Sequence, residues 1–104
     1  MFVVSYNFKI HPDKNQAFEK AWKEVTYLIY RYSGSLGSRL YKSGENMYFG
    51  IAQWPDKATW ENSDVATFDT HQWRVKLREC CESIETVNEL ELIHDLWAKT
   101  PFSE

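Results

Sequence analysis

Residues 2–10, Phe-Val-Val-Ser-Tyr-Asn-Phe-Lys-Ile, alternate along the chain: Phe2, Val4, Tyr6 and Phe8 fall to one side and Val3, Ser5, Asn7 and Lys9 to the other. Period two in β-branched and aromatic residues predicts a strand. Asn7 interrupts an otherwise apolar segment. His11-Pro12-Asp13 breaks the pattern, and from Asn15 the period changes. Phe18, Ala21, Trp22, Val25, Leu28, Ile29 and Tyr32 recur in steps of three and four, which predicts an amphipathic helix of about five turns. Asp13 is the expected N-cap, and Gly34 the left-handed residue that ends the helix.

Leu36 to Lys42 reads as a second strand, with Gly37 a bulge or a place of close approach. Ser43-Gly44-Glu45-Asn46 reads as a hairpin turn of four residues, followed by a third strand from Met47 to Trp54. On that strand Tyr48, Gly50, Ala52 and Trp54 share a side, so small residues leave volume on a sheet face that a ligand or a packed aromatic can fill. Pro55 stops it. Asp56 to Trp60 fits one helical turn, and Ser63 or Asp64 is expected to cap a longer helix from Val65 to about Cys81. Ser83 to Trp97 is extended, with a slip in register at Leu92-Ile93 that suggests a bulge. Residues 98–104 form a tail that orders against a partner.

The order βαββαβ predicts one α+β domain over 1–104: a ferredoxin-like, four-stranded antiparallel sheet with two helices on one face. Helices cover only one face, yet both faces of these strands carry large apolar groups. A homodimer joined through its sheet faces is the expected cover. Composition strengthens this. In 104 residues there are 5 Trp, 6 Tyr and 6 Phe, more aromatic volume than a domain of this size needs for one modest core.

Charge and cysteine usage narrow the chemistry. The net charge is −3, and no basic cluster marks a phosphate-tracking surface, so nucleic-acid binding is not expected. No apolar run approaches a membrane span, and the opening residues do not read as a secretory leader. The expected setting is cytoplasmic. Cys80 and Cys81 are adjacent and form no metal-ligand spacing; no metal and no cofactor is expected. The segment Gly34-Ser35-Leu36-Gly37 precedes a strand instead of a helix, so it lacks the context of a nucleotide-binding loop.

The stretch Gly34-Ser35-Leu36-Gly37-Ser38-Arg39-Leu40, followed by Gly50-Ile51-Ala52-Gln53-Trp54-Pro55-Asp56, resembles the antibiotic-biosynthesis-monooxygenase-like proteins. The resemblance runs from the first strand through Trp60 and more loosely onward. It implies a dimeric α+β barrel and, in each subunit, a pocket between sheet and helices lined by aromatic and a few polar groups. The group includes cofactor-independent oxygenases acting on aromatic polyketides, haem-degrading enzymes and small proteins of other roles. In the haem-degrading branch the working groups are an Asn on the first strand, a Trp, and a His on the second long helix. By position these fall on Asn7, Trp60 and His71.

The candidate site follows. Asn7 would orient a substrate oxygen or O₂ in a dry pocket, where a fixed dipole acts strongly. His71 would serve as general base or axial iron ligand. Trp22, Tyr30, Tyr48, Trp60, Phe68 and Trp73 are the candidate aromatic lining, and Arg39 a candidate contact for a substrate anion. Three functions remain open. The first is a cofactor-independent monooxygenase acting on a small aromatic or polyketide-like compound. The second is a non-catalytic dimeric binding or interaction protein, its aromatics packed into the dimer core. The third is haem binding or degradation.

Overall fold

The computed structural model of the chain describes residues 1–63 and 70–103. Strand β1 (Phe2–Ile10) lies at the centre of a four-stranded antiparallel sheet, joined by β2 (Ser38–Gly44), β3 (Met47–Trp54) and β4 (Cys81–Glu91) in the order β2-β3-β1-β4. Helices α1 (Asn15–Tyr32), α2 (Lys57–Glu61) and α3 (Gln72–Cys80) complete it. This is the ferredoxin-like α+β arrangement that the order of patterns predicts. α1 and α3 pack against one sheet face and α2 is a single short turn beside β3.

The alternation of β1 decides which side is covered. Phe2, Val4, Phe8 and Ile10 are buried, and on α1 so are Phe18, Ala21 and Val25, the positions that the three-and-four spacing singles out. Phe18 lies 5.1 Å from the Phe8 ring and 4.8 Å from that of Tyr48. Leu77 and Cys80 of α3 close the same cluster.

Local chemistry moves several boundaries. Asp13 is not the cap of α1: it takes φ 66° in the turn before it, and Lys14 stands at the N-cap with no side-chain bond. An aspartate tolerates the left-handed region better than most residues, and here it makes the tight turn at whose end the Lys14 N–H reaches the His11 carbonyl. Gly34, at φ 80°, ends α1 as its sequence implies. Gly37 is needed for its φ of 94° just before β2. A side chain there would meet nothing within 4 Å, so conformation and not close approach selects it. The β2–β3 turn is shorter than its composition suggests. Gly44 pairs with Met47 and the irregularity falls between Lys42 and Gly44, so the extra residue is taken up as a bulge.

The second long helix is also shorter than expected. Val65 and Phe68 lie outside the described residues, and among the described ones the helix begins at Gln72. His71 is its N-cap, with extended backbone at φ −65° and ψ 140°. The Trp73 N–H donates to His71 Nδ1 at 3.2 Å, satisfying a donor that the first turn leaves open. α2 has a stronger cap: Asp56 Oδ1 accepts from the Thr59 N–H at 2.7 Å and from the Thr59 hydroxyl at 2.8 Å. These bonds hold the Asp56 carboxyl below its ordinary range. Finally, β4 begins at Cys81 and ends at Glu91, not at Trp97. Its register shifts lie opposite Ser5/Tyr6 and Lys9/Ile10, leaving Val87 and Glu82 as the extra residues. The expected slip at Leu92-Ile93 is instead the end of the strand, where the Leu92 N–H reaches the Met1 carbonyl.

Candidate functional site

The side chains between sheet and helices form two clusters. One gathers Phe8, Ile10, Phe18, Val25, Tyr48 and Leu77; the other gathers Phe2, Val4 and Trp54. Tyr6 and Ile29 touch both. Between the clusters β3 offers only Gly50 and Ala52, too small to meet the helix above them. The result is a cavity of about 140 Å³. Tyr6, Gly50 and Ala52 form its floor, Trp22 and Ile29 come from α1, and Trp54, Trp60 and Arg74 close its sides. The volume that small residues on this face imply is therefore present. A Cβ on Gly50 would stand 3.0 Å from Phe8 Cε2, so glycine at this position lets the Phe8 ring lie flat against the strand.

The cavity is mainly apolar, with polar groups at separate points. Burial pushes the Tyr6 phenol above its ordinary range, while a hydrogen bond from the Trp60 side chain and the positive charge of Arg74 pull it back. Tyr6 is thus a neutral donor at physiological pH, with a guanidinium beside it. Trp54 is 2% exposed, and its indole Nε1 has no hydrogen-bond partner among the described residues. A buried donor left open costs about 1–3 kcal/mol, so such a group in a cavity wall calls for an acceptor.

The other expected site residues scatter. Trp22 and Trp60 line the cavity. Tyr48 is buried in the neighbouring cluster, where its hydroxyl donates to Glu19 and accepts from Asn15 Nδ2. Burial and the Glu19 bond push its phenol upward. Tyr30 is exposed on α1, and Phe68 lies outside the described residues. Asn7 pairs with Phe49 and Glu85 on the sheet face turned away from the helices, because period two sends it opposite to Tyr6. His71 and Trp73 border a separate surface groove with Glu24, Tyr27 and Arg31, and Lys20 lies 5.5 Å over the Trp73 ring. Asn7 and His71 are therefore not brought together. Arg39 lies on the outer face, its guanidinium 4.5 Å over the Trp97 ring.

Sequence reasoning passed over Tyr6, Trp54 and Arg74 as site residues. The signal was present. Tyr6 shares a face with Phe8, Trp54 shares one with Gly50 and Ala52, and Arg74 stands one helical step before the buried Leu77.

The outer sheet face carries Val3, Ile51 and Leu90. The segment after β4 crosses it from the β4 edge towards β2, bringing Trp97 to Arg39 and leaving a groove of about 500 Å³. Along this segment Leu96 is 88% exposed, Trp97 72% and Phe102 90%. Among the described residues no helix is long and apolar enough to cross a membrane. No three His, Cys, Asp or Glu side chains among them gather as metal ligands.

No curated protein matches the sequence at a significant level. Solved structures do match the fold. SnoaB, a cofactor-independent oxygenase from Streptomyces nogalater, is 18% identical with a TM-score of 0.73, covering 91% of this chain and 95% of its own. A putative antibiotic biosynthesis monooxygenase from Bordetella bronchiseptica is also 18% identical, with a TM-score of 0.73 over 89% and 98%. Another from Nitrosomonas europaea is 16% identical, with a TM-score of 0.67 over 90% and 100%. At such identities the likeness establishes the fold. The family assignment comes from the sequence itself: residues 1–65 match the model of the antibiotic biosynthesis monooxygenase family, and the chain belongs to that family.

Proposed function

We propose that this chain is a cofactor-independent monooxygenase that oxidises a small aromatic or polyketide-like compound in the cavity between α1 and the sheet. The observation that carries the proposal is that cavity: indole walls from Trp22, Trp54 and Trp60, with Tyr6 and Arg74 among its lining. Flat aromatic walls suit a planar ring. A phenol donor and a guanidinium in an apolar setting stabilise negative charge far better than they would in water.

The chemistry balances without an external reductant. An acidified ring CH₂ loses a proton to water to give a carbanion, whose charge is spread onto a ring oxygen held by Tyr6 and Arg74. The carbanion gives electrons to O₂ and a C–O bond forms, yielding a hydroperoxide after proton uptake. Loss of water leaves a carbonyl, so CH₂ and O₂ become C=O and H₂O. The oxygen-holding role expected of Asn7 passes in this proposal to Tyr6 and Arg74, since those residues border the cavity, and the general-base role expected of His71 passes to water.

The same proposal takes the working form as a cytoplasmic homodimer paired through the outer sheet faces. Exposed apolar side chains on the strand face and along residues 92–102 support pairing. Two free cysteines fit a reducing compartment. Haem fits this arrangement poorly: the cavity falls well below the roughly 300–1,000 Å³ of sites for drug-sized ligands, and His71 stands outside it with Nδ1 engaged.

The test is oxygen uptake by the purified protein, in chelator-treated buffer, with a panel of quinols, phenols and anthrone. Uptake coupled to a product carrying one atom of labelled oxygen from O₂ is expected, together with a loss of at least tenfold in Arg74→Met. No uptake above the uncatalysed rate with any member sinks the oxygenase reading.

A further inference from the structure

We infer that Trp22 sets the size of the substrate: its indole holds the cavity to one ring, so the site takes a single-ring phenol and turns away fused-ring compounds. This rests on the cavity being the substrate site, as proposed above, and names the residue that limits what enters it.

An apolar cavity of about 150 Å³ accommodates benzene, and the volume here is about 140 Å³. One ring with short substituents fills that space. A fused ring system needs a wall to move, and the walls are not held alike. Gly50 has no side chain, so the space above it is filled from neighbouring positions. Two rings fill it: a Cβ placed on Gly50 would lie 3.0 Å from Phe8 Cε2 and 3.7 Å from Trp22 Nε1. The Trp22 indole therefore comes down from α1 onto the strand and ends the cavity there.

The other walls belong to packed groups whose displacement is costly. Phe8 is buried, with its ring 5.1 Å from that of Phe18. On the Trp54 side the rings hold one another: Phe2 and Trp60 lie 5.5 Å apart, and the Trp60 side chain hydrogen-bonds Tyr6. Val25 and Leu77 are buried as well. Trp22 differs, being only half-buried and packed at the margin of its cluster. Its shape also matches what it excludes. An indole is two fused rings, so Trp22→Ala leaves the outline of a bicycle beside a one-ring cavity. A core relaxes only in part around a deleted side chain, and the remainder is room for a larger ligand. Trp22→Phe fills one ring of that outline and leaves an intermediate space.

The probes are phenol, 2-naphthol and 2-anthrol, with binding measured by equilibrium dialysis under nitrogen. Each added ring buries more apolar area, so an open apolar site favours the larger probes. The wild-type protein is expected to show the opposite order, binding phenol about tenfold more tightly than 2-naphthol, and 2-anthrol more weakly still. Trp22→Phe should bind 2-naphthol best of the three. Trp22→Ala should reverse the wild-type order, with 2-naphthol about tenfold tighter than phenol and 2-anthrol gaining further. Ala52→Ile, which fills the cavity from its floor, should abolish phenol binding, with thermal unfolding confirming that each variant is folded. Four results overturn the assignment: no saturable phenol binding, 2-naphthol binding to the wild-type protein as tightly as phenol, an unchanged order in folded Trp22→Ala, or phenol binding that survives Ala52→Ile. The wild-type order needs no variant to fold. The expected orders without oxygen uptake leave the role of Trp22 standing and remove the oxygenase reading, while oxidation of anthrone by the wild-type protein does the reverse.

Discussion

The two faces of β1 are made from one short run of residues, yet they end in different surroundings. On the inner face Phe2, Val4, Phe8 and Ile10 are closed over by helices and by β3 aromatics. On the outer face Val3 and its neighbours on β3 and β4 meet only a crossing C-terminal segment that is itself largely exposed. Apolar character is present on both sides; what differs is whether this chain supplies a cover. The inner face is therefore where a defect in packing has meaning, because everything around the cavity is filled. On the outer face open apolar surface is general, and it points to a second surface and not to a small ligand.

The largest expected effect tests the inner side. Phe18 is 0% exposed and stacks between Phe8 and Tyr48. Phe18→Ala should lower unfolding stability by about 3–5 kcal/mol, measured by urea denaturation at fixed protein concentration. A loss under about 1 kcal/mol would mean that the inner face is not the packed core.

Next comes the outer side. Leu90 pairs with Val3 and is 48% exposed, so a lysine there costs the single subunit little. In the proposed dimer it would put a charge into an apolar interface. Leu90→Lys should weaken association about a hundredfold, some 2–3 kcal/mol, seen as a shift from dimer to monomer mass in light scattering. A wild-type protein that is monomeric at tens of micromolar concentration breaks the comparison instead, leaving the outer face uncovered.

A third test lies at the boundary between filled and unfilled space. Gly50→Ala places a methyl against the Phe8 ring and should cost about 1–3 kcal/mol through overpacking. Ala52→Ile adds bulk to empty volume and should cost less than Gly50→Ala in the same thermal-unfolding measurement. The reverse order would mean that the cavity collapses around Ala52.

These contrasts explain what sequence could and could not reveal. The elements were legible because both periods are strong: two along β1 and β3, three-and-four along α1. The gap was legible too, since Gly50 and Ala52 share a face with Tyr48 and Trp54. The occupants of its walls were harder to see. Asn7 stood out as a polar residue in an apolar strand, but polarity at one position does not say which face the helices cover, and Tyr6 one place earlier holds the inner position. His71 looked helical because Phe68 and Trp73 flank it; in the structure it caps the helix. Arg74 reads as a solvated charge until α3 is set against the sheet, which is a tertiary fact. Boundaries at Asp13, Gly44 and Glu91 moved for local reasons: a left-handed turn, a bulge and the end of strand pairing.

The smallest effect separates two tyrosines of the inner face. Tyr6 borders the cavity and Tyr48 the filled cluster, and burial raises both phenols above the ordinary value of 10.0 in the folded chain. A proton that the folded state keeps and the unfolded chain releases stabilises the fold fully below pH 10, and this contribution is lost as pH rises through the folded values. Melting temperature should therefore fall with increasing pH above about 10. Tyr48→Phe removes the bond to Glu19 and should cost about 1 kcal/mol at neutral pH. It should also make the alkaline decline shallower, because one of the two phenols no longer titrates. Tyr6→Phe should flatten the decline as well, and at neutral pH it should additionally weaken binding of a phenolate, which Tyr48→Phe leaves intact. If both variants affect ligand and alkaline stability alike, the distinction between filled and unfilled parts of the inner face has no energetic content.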